Sequence, residues 1–317
     1  MRIAVFGAGA VGGLLGALLS RAGHEVLLVA REEAVVAIRL DGLRLEGPHE
    51  GSYAVAATET IPEGLTTDAL LVTVKAPDLA RAGEEIARRL HPLPPILLLQ
   101  NGLGIEEAFR SGWEAAGQGP PASSALRAVS TVPATWISPG QVREAGSGEI
   151  LFGPGAAAAE APTPLLRLLG SAGLAVREVP DLNREIWRKA ILNAAINPVT
   201  ADHEIPNGRL ARAPWRGQAE ALLQEAREVA RAEGFDFPPE EIDADLWKVV
   251  RATARNRSSM LQDLERGRPT EIEFISGAIL RIGAAHGLAL PATERAVARI
   301  RAKAGPPGGS RAPGESA

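Results

Sequence analysis

The run Gly7-Ala8-Gly9-Ala10-Val11-Gly12 constrains this chain more than any other feature, because of what stands on either side of it. Before it, Arg2 to Phe6 reads as a short buried strand; after it, an apolar stretch with helical periodicity begins at Ala10. A G-x-G-x-x-G between a strand and a helix has the context of a dinucleotide-binding turn. Its first glycine permits the tight turn, the second lets a pyrophosphate approach the backbone, and the third lets helix and strand pack closely. The helix N-terminus adds unpaired N–H donors and the positive end of a dipole. Three glycines in a chain with 34 of them can also be packing glycines, but the strand on one side and the helix on the other favour the nucleotide. Gly7, Ala8, Gly9, Ala10, Val11 and Gly12 are therefore the expected cofactor residues.

A second strand, Glu25 to Ala30, ends at Arg31. An Asp or Glu at that point would hold a free ribose 2′-hydroxyl, whereas a guanidinium suits a 2′-phosphate, so NADPH is expected over NADH. The alternative leaves Arg31 in solvent and gives the ribose to Glu32 or Glu33. Two further loops follow strands, Val74-Lys75-Ala76-Pro77 and Gln100-Asn101-Gly102-Leu103-Gly104. Both belong at the carboxyl edge of such a sheet, which makes Lys75 and Asn101 candidates for cofactor contact.

Strand-like runs at Arg2 to Phe6, Glu25 to Ala30, Ala69 to Val74 and Ile96 to Gln100 alternate with helical stretches after Ala10, Pro77 and Ile105, the pattern of βαβ units on a buried parallel sheet. From Ala125 to Val179, short strands broken by SPG, GSG and GPG, with one helix near Pro164 to Ser171, are expected to complete that sheet with an antiparallel edge. From Asp181 the helical period takes over, at Asn183 to Val199, Pro214 to Ala232, Pro239 to Arg255, Thr270 to His286 and Pro291 to Lys303. The expected organisation is residues 1–180 as a nucleotide-binding α/β domain, 181–304 as an all-helical domain, and 305–317, rich in Pro, Gly and Ser, as a disordered tail.

Composition narrows the function classes. A net charge of -4 offers no general attraction to nucleic acid or anionic lipid, and no stretch approaches the ~20 apolar residues that span a bilayer. The apolar first twenty residues lack a basic n-region and are broken by glycines, so they read as folded structure rather than a signal peptide. With no cysteine, thiolate nucleophiles, zinc-thiolate sites and disulfides are excluded, and a reducing, cytoplasmic setting is expected. His24, His49, His91, His203 and His286 share no motif; no metal-ligand spacing and no G-x-S-x-G elbow occurs. Nothing sets the oligomeric state, and a homodimer stays open.

The chemistry is carried by Glu185-Ile-Trp-Arg-Lys189-Ala-Ile-Leu-Asn193-Ala-Ala-Ile-Asn197-Pro198. On a helix Lys189, Asn193 and Asn197 fall at i, i+4 and i+8, one polar stripe on a surface otherwise of Trp, Ile, Leu and Ala. An ammonium and two amides there are costly unless paired, so the stripe points to a site; a narrow exposed edge is the other reading. Pro198 is expected to distort or end the helix. Further on, Thr270 and Glu273 have capping-box spacing, with Glu271 in the first turn, where a helix dipole favours a carboxylate.

These residues resemble the ketopantoate reductase family. The segments that carry the resemblance are GAGAVG, VTVKAPD, LLLQNGLG, WRKAILNAAINPVTA, IPNGRL and NRSSMLQDLERGRPTEIEFISGAILRIGAAHGLALP, spread over nearly the whole chain. The resemblance implies an N-terminal Rossmann-type doubly wound α/β sheet, an all-helical C-terminal domain, and NADPH-dependent reduction of 2-dehydropantoate (ketopantoate) to (R)-pantoate for pantothenate and coenzyme A. Carried over residue by residue, it implies that Lys189 is the general acid and that Glu271 supports it and the cofactor end of the site. It implies substrate contacts from Asn193, Asn197, Asn207, Asn256 and Ser259, and NADPH contacts from Gly7 to Gly12, Arg31, Lys75 and Asn101. Asp263 matches a family position whose role is open to a structural reading. Residues Ser111 to Ser138 match poorly, and no contact is carried there. The alternatives are a related dehydrogenase acting on another 2-oxo or hydroxy acid, or a non-catalytic NADPH sensor. A phosphorylated substrate would need a basic cluster near the stripe, for which Arg188 and Arg209 are the candidates.

Overall fold

The computed structural model describes residues 1–119, 125–153 and 162–304, so the tail expected at 305–317 lies outside the described residues. Two compact units result. The first comprises Met1–Gln100 and Ile105–Asn183; the second takes Asn101–Gly104 and the chain from Arg184 onward.

In the first unit β1 (Arg2–Phe6), α1 (Ala10–Arg21), β2 (Glu25–Val29) and α2 (Glu32–Asp41) lead into β3 (Leu43–Glu46), β4 (Gly51–Tyr53) and β5 (Ala56–Thr58). Then come β6 (Ala69–Val72), α3 (Leu79–Arg89), β7 (Ile96–Leu98), α4 (Ile105–Ala115) and β8 (Ala125–Arg127). The main sheet has the order β5-β2-β1-β6-β7-β8, and every neighbouring pair is parallel. Parallel strands are covered on both faces, which is why β6 and β7 are buried at every position. The chain turns one way from β1 to β2 and continues on the other side of β1 at β6. That reversal opens a crevice at the strands' carboxyl ends, where sheets of this kind take ligands.

Among the described residues the antiparallel edge expected on this sheet does not occur. β8 pairs parallel with β7, Leu98 opposite Arg127, because the α4 crossover returns the chain in its original direction. The following strands go elsewhere: β9 (Val129–Ser130), β10 (Ala134–Ser138), β11 (Gln141–Glu144), β12 (Glu149–Phe152) and, after α5 (Pro162–Ser171), β13 (Ala175–Glu178). They form two small sheets, β10-β11-β3-β4 and β13-β12-β9. α1 packs against the first of these; a Cβ on its Gly13 would come within 2.7 Å of Val142 Cγ1 on β11.

The second unit is helical: α6 (Leu182–His203), α7 (Trp215–Ala232), α8 (Pro239–Ala252), α9 (Ser259–Glu265), α10 (Ser276–Ala285) and α11 (Pro291–Ala304). Ile191, Ala195, Leu223, Phe237, Leu246, Leu261 and Ile279 are fully buried in its core, which Leu103 also joins. Of the two outcomes expected at Pro198, distortion or an end, the helix does not end there: α6 runs through Pro198 to His203. Residues 194–201 are all buried, so surrounding packing holds the helix on course where the ring removes one hydrogen bond. Thr200 Oγ1 donates to Ile196 O at 2.8 Å in the same turn. Among the described residues no helix is long and apolar enough to cross a membrane.

Candidate active site

The glycine-rich turn is shaped by backbone contact. Gly7 has φ +114°, and a Cβ there would lie 2.7 Å from Val74 N, so this position excludes a side chain twice over. A Cβ on Gly12 would lie 1.8 Å from Gly7 O and 2.3 Å from Thr73 Oγ1. Thr73 Oγ1 in turn donates to Gly7 O at 2.6 Å, locking the turn to the end of β6. Gly9 differs from both: a Cβ there would meet nothing within 4 Å. The middle glycine thus borders open space at the start of α1, whose first turn carries no acidic side chain. Bare backbone, open space and unpaired helix N–H groups fit a pyrophosphate.

The neighbouring loops bring further groups to the same edge. Arg31 immediately precedes α2, exposed, with Nη2 3.9 Å from Asp78 Oδ2. Lys75, half-buried, precedes the short 3-10 turn Ala76–Asp78. Gln100 is buried at 5% exposure and donates through Nε2 to Val72 O (2.9 Å) and Val74 O (3.0 Å). It holds the strand end that leads into Lys75. Sequence reading passed over Gln100, Thr73 and Asp78 because their partners are backbone atoms or residues about 25 to 70 positions away.

Asn101 falls in the second unit. Leu103 N donates to Phe274 O at 2.7 Å, and a Cβ on Gly102, φ +99°, would sit 2.3 Å from that oxygen. This close approach sets Asn101 Nδ2 3.0 Å from Glu271 Oε2, to which it donates. Glu271 is 8% exposed, and a carboxyl group so buried needs hydrogen-bond donors of this kind. The expected capping box does not form. Residues 271–275 make a turn, Phe274 N and Ile275 N donating to Glu271 O, and α10 starts only at Ser276. Glu273 is taken by Arg301, which donates to it from Nε and Nη2 at 2.7 Å each and holds its carboxyl below the ordinary range. Thr270 Oγ1 accepts from Ile272 N at 3.4 Å instead of serving the third residue.

On α6, Lys189 and Asn193 are half-buried and Asn197 is 5% exposed, so the stripe descends from partial solvent into the core. Arg188 is not available to a phosphate: Glu241 and Asp245 accept from its guanidinium, and Glu185 lies 3.7 Å away. Arg209 stacks over the Trp215 ring at 5.1 Å. Asn207 is 6% exposed; its N–H donates to Asn256 O at 2.9 Å and its Nδ2 to Thr253 Oγ1 at 2.9 Å. It braces the loop that presents Asn256, itself exposed. Ser259 is exposed in the first turn of α9, while its neighbour Ser258, buried, caps that helix by accepting from Leu261 N at 3.3 Å. Asp263 is buried at 8% exposure. Among the described residues no group of three or more His, Asp or Glu is placed to hold a metal ion.

A parallel sheet with a glycine turn at its point of reversal, followed by a helical unit with a lysine–asparagine stripe, defines the class of the dinucleotide-binding oxidoreductases. Within it, residues 3–157 match the family model described as ketopantoate reductase PanE/ApbA, and residues 181–304 match that of its C-terminal region. The chain belongs to the ketopantoate reductase family. A 2-dehydropantoate 2-reductase of Archaeoglobus fulgidus is 37% identical over 90% of this chain and 92% of its own length. Among solved structures, a PanE/ApbA family ketopantoate reductase from Ralstonia eutropha superposes with TM-score 0.85 at 32% identity, covering 96% of this chain and 98% of that one. A D-mandelate dehydrogenase solved with NADH and anilino(oxo)acetate gives TM-score 0.87 at 26% identity, with coverage of 96% and 98%.

Proposed function

We propose that this chain reduces 2-dehydropantoate to (R)-pantoate with NADPH, the first unit holding the nucleotide and the second supplying the proton donor and the substrate amides. Supporting this reading most directly is the bond between Asn101 and the buried Glu271, which joins two residues of separate family motifs in one polar centre. NADPH, when bound, supplies the hydride that adds to the keto carbon. The residues' task is then to bind and orient, and to deliver a proton to the carbonyl oxygen as it gains charge. Lys189 fills that role, an ammonium on a half-buried face that stabilises the developing alkoxide and protonates it. Glu271 supports Lys189 and the cofactor end of the site, and Asn101 fixes its carboxylate through a hydrogen bond.

Gly7 to Gly12 take the pyrophosphate, and Arg31 and Lys75 take the 2′-phosphate end. Asn193, Asn197, Asn256 and Ser259 contact the substrate's carboxylate and hydroxyl, with Asn207 acting from behind Asn256. The absence of cysteine and the use of NADPH suit a cytoplasmic reaction.

Likeness to a D-mandelate dehydrogenase favours a second reading, reduction of another 2-oxo acid. The two are separated by following NADPH oxidation with 2-dehydropantoate, pyruvate and 2-oxoisovalerate, with NADH in parallel. Clear preference for 2-dehydropantoate upholds the first, and turnover of the others alone replaces it with the second.

A further inference from the structure

Asp78 stands where two recognition chemistries meet. Arg31 follows β2 and Asp78 follows β6, and these strands flank β1, which leads into the glycine-rich turn. Their charged ends are 3.9 Å apart, with side chains 70% and 43% exposed. That distance is an ion pair without a hydrogen bond, so both groups keep their hydrogen-bonding capacity for a ligand. Asp78 closes the 3-10 turn Ala76–Asp78, which runs directly into α3, and its side chain makes no capping bond to that helix. Its carboxylate is directed to the Arg31 side rather than spent on its own helix.

The chemistry of the pair is divided. A guanidinium attracts a 2′-phosphate, whereas a carboxylate repels it and accepts from a free 2′-hydroxyl. Sites for dinucleotides ordinarily carry one or the other at this corner; here a carboxylate arrives from the neighbouring strand's loop. We propose that Asp78 sets how sharply this chain discriminates NADPH from NADH, weakening the phosphorylated nucleotide and strengthening the unphosphorylated one. This rests on the reading that Arg31 serves the 2′-phosphate.

The test is equilibrium binding, by titration calorimetry of NADPH and of NADH to the native chain and to Asp78→Asn, Asp78→Glu and Arg31→Ala. The expected result is that Asp78→Asn raises the ratio of NADPH to NADH affinity by about fivefold or more, the two affinities moving in opposite directions. Asp78→Glu, which keeps the charge, stays near the native ratio, and Arg31→Ala lowers the ratio. If Arg31→Ala lowers it while Asp78→Asn leaves it unchanged, or weakens both nucleotides equally, Asp78 has no role in discrimination and the NADPH reading stands. If Arg31→Ala leaves NADPH affinity untouched, or the native chain binds neither nucleotide, the cofactor reading fails and this inference with it.

Discussion

Asn101 donates a 3.0 Å hydrogen bond to the carboxylate of Glu271, 170 residues further along the chain, and that carboxylate is 8% exposed. Removing the donor takes one hydrogen bond from a buried carboxyl group, and a buried polar group that loses a partner costs more than the net worth of the bond. Asn101→Ala is expected to lower kcat/KM by roughly tenfold and to lower the melting temperature by a few degrees. Asn101→Asp, which sets a second carboxylate against Glu271, does worse on both counts. Steady-state kinetics and thermal melts of the two variants check this order.

The glycines of the turn separate fold from binding. Gly12→Ala forces a Cβ to within 1.8 Å of Gly7 O, so it is expected to destabilise the first unit. Gly9→Ala meets no protein atom within 4 Å and leaves the melting temperature near native. Its methyl group fills space assigned to the pyrophosphate, so NADPH affinity falls at least about tenfold. Calorimetric melts beside nucleotide titrations distinguish the two.

Asn207 and Asn193 are expected to part company in the same way. Asn207→Ala removes a buried side chain and its bond to Thr253 and lowers stability by about 1 kcal/mol. Asn193, half-buried on the stripe of α6, has less packing to lose, and Asn193→Ala raises the KM for the 2-oxo acid with little change in melting. Denaturant melts and KM values for both variants test the division.

The Glu273–Arg301 pair makes stability depend on acid. Arg301 holds the Glu273 carboxyl below its ordinary value in the folded chain. The stabilisation is therefore complete above the unfolded-state pKa and lost as pH falls through the lower folded-state value. Both side chains are more than a third exposed, so the effect is screened and modest. Glu273→Gln should melt below the native chain near pH 7, with the gap narrowing as pH falls through and below the ordinary carboxylate range. A gap that stays constant across that range contradicts the pairing.

What could be read from the sequence follows from how far each signal reaches. The β1-turn-α1 unit and the helical period after Asp181 are local, carried by neighbours within a few residues, and they appear as expected. Three local readings gave way, in whole or in part, where distant packing overrides local chemistry. Pro198 does not end α6, because buried neighbours hold it. Glu273 does not close a capping box, because Arg301 from α11 claims it. The strands after residue 128 do not extend the main sheet, because β11 finds β3 nearly a hundred positions earlier. The site divides likewise. The stripe of Lys189, Asn193 and Asn197 is a helical period and legible, while the clamps made by Gln100 and Thr73 end on backbone atoms that no residue pattern announces. Asn101's membership of the second unit rests on Gly102 passing close to Phe274 O, a contact visible only in three dimensions.

The most direct measurement of the central claim is kcat for NADPH oxidation with 2-dehydropantoate, native chain against Lys189→Ala, with NADPH affinity measured on both. Turnover by the native chain, a fall of at least ~100-fold in the variant and unchanged nucleotide affinity are the predicted results. A native chain inert towards 2-dehydropantoate, or a variant that turns over as fast as the native, contradicts it.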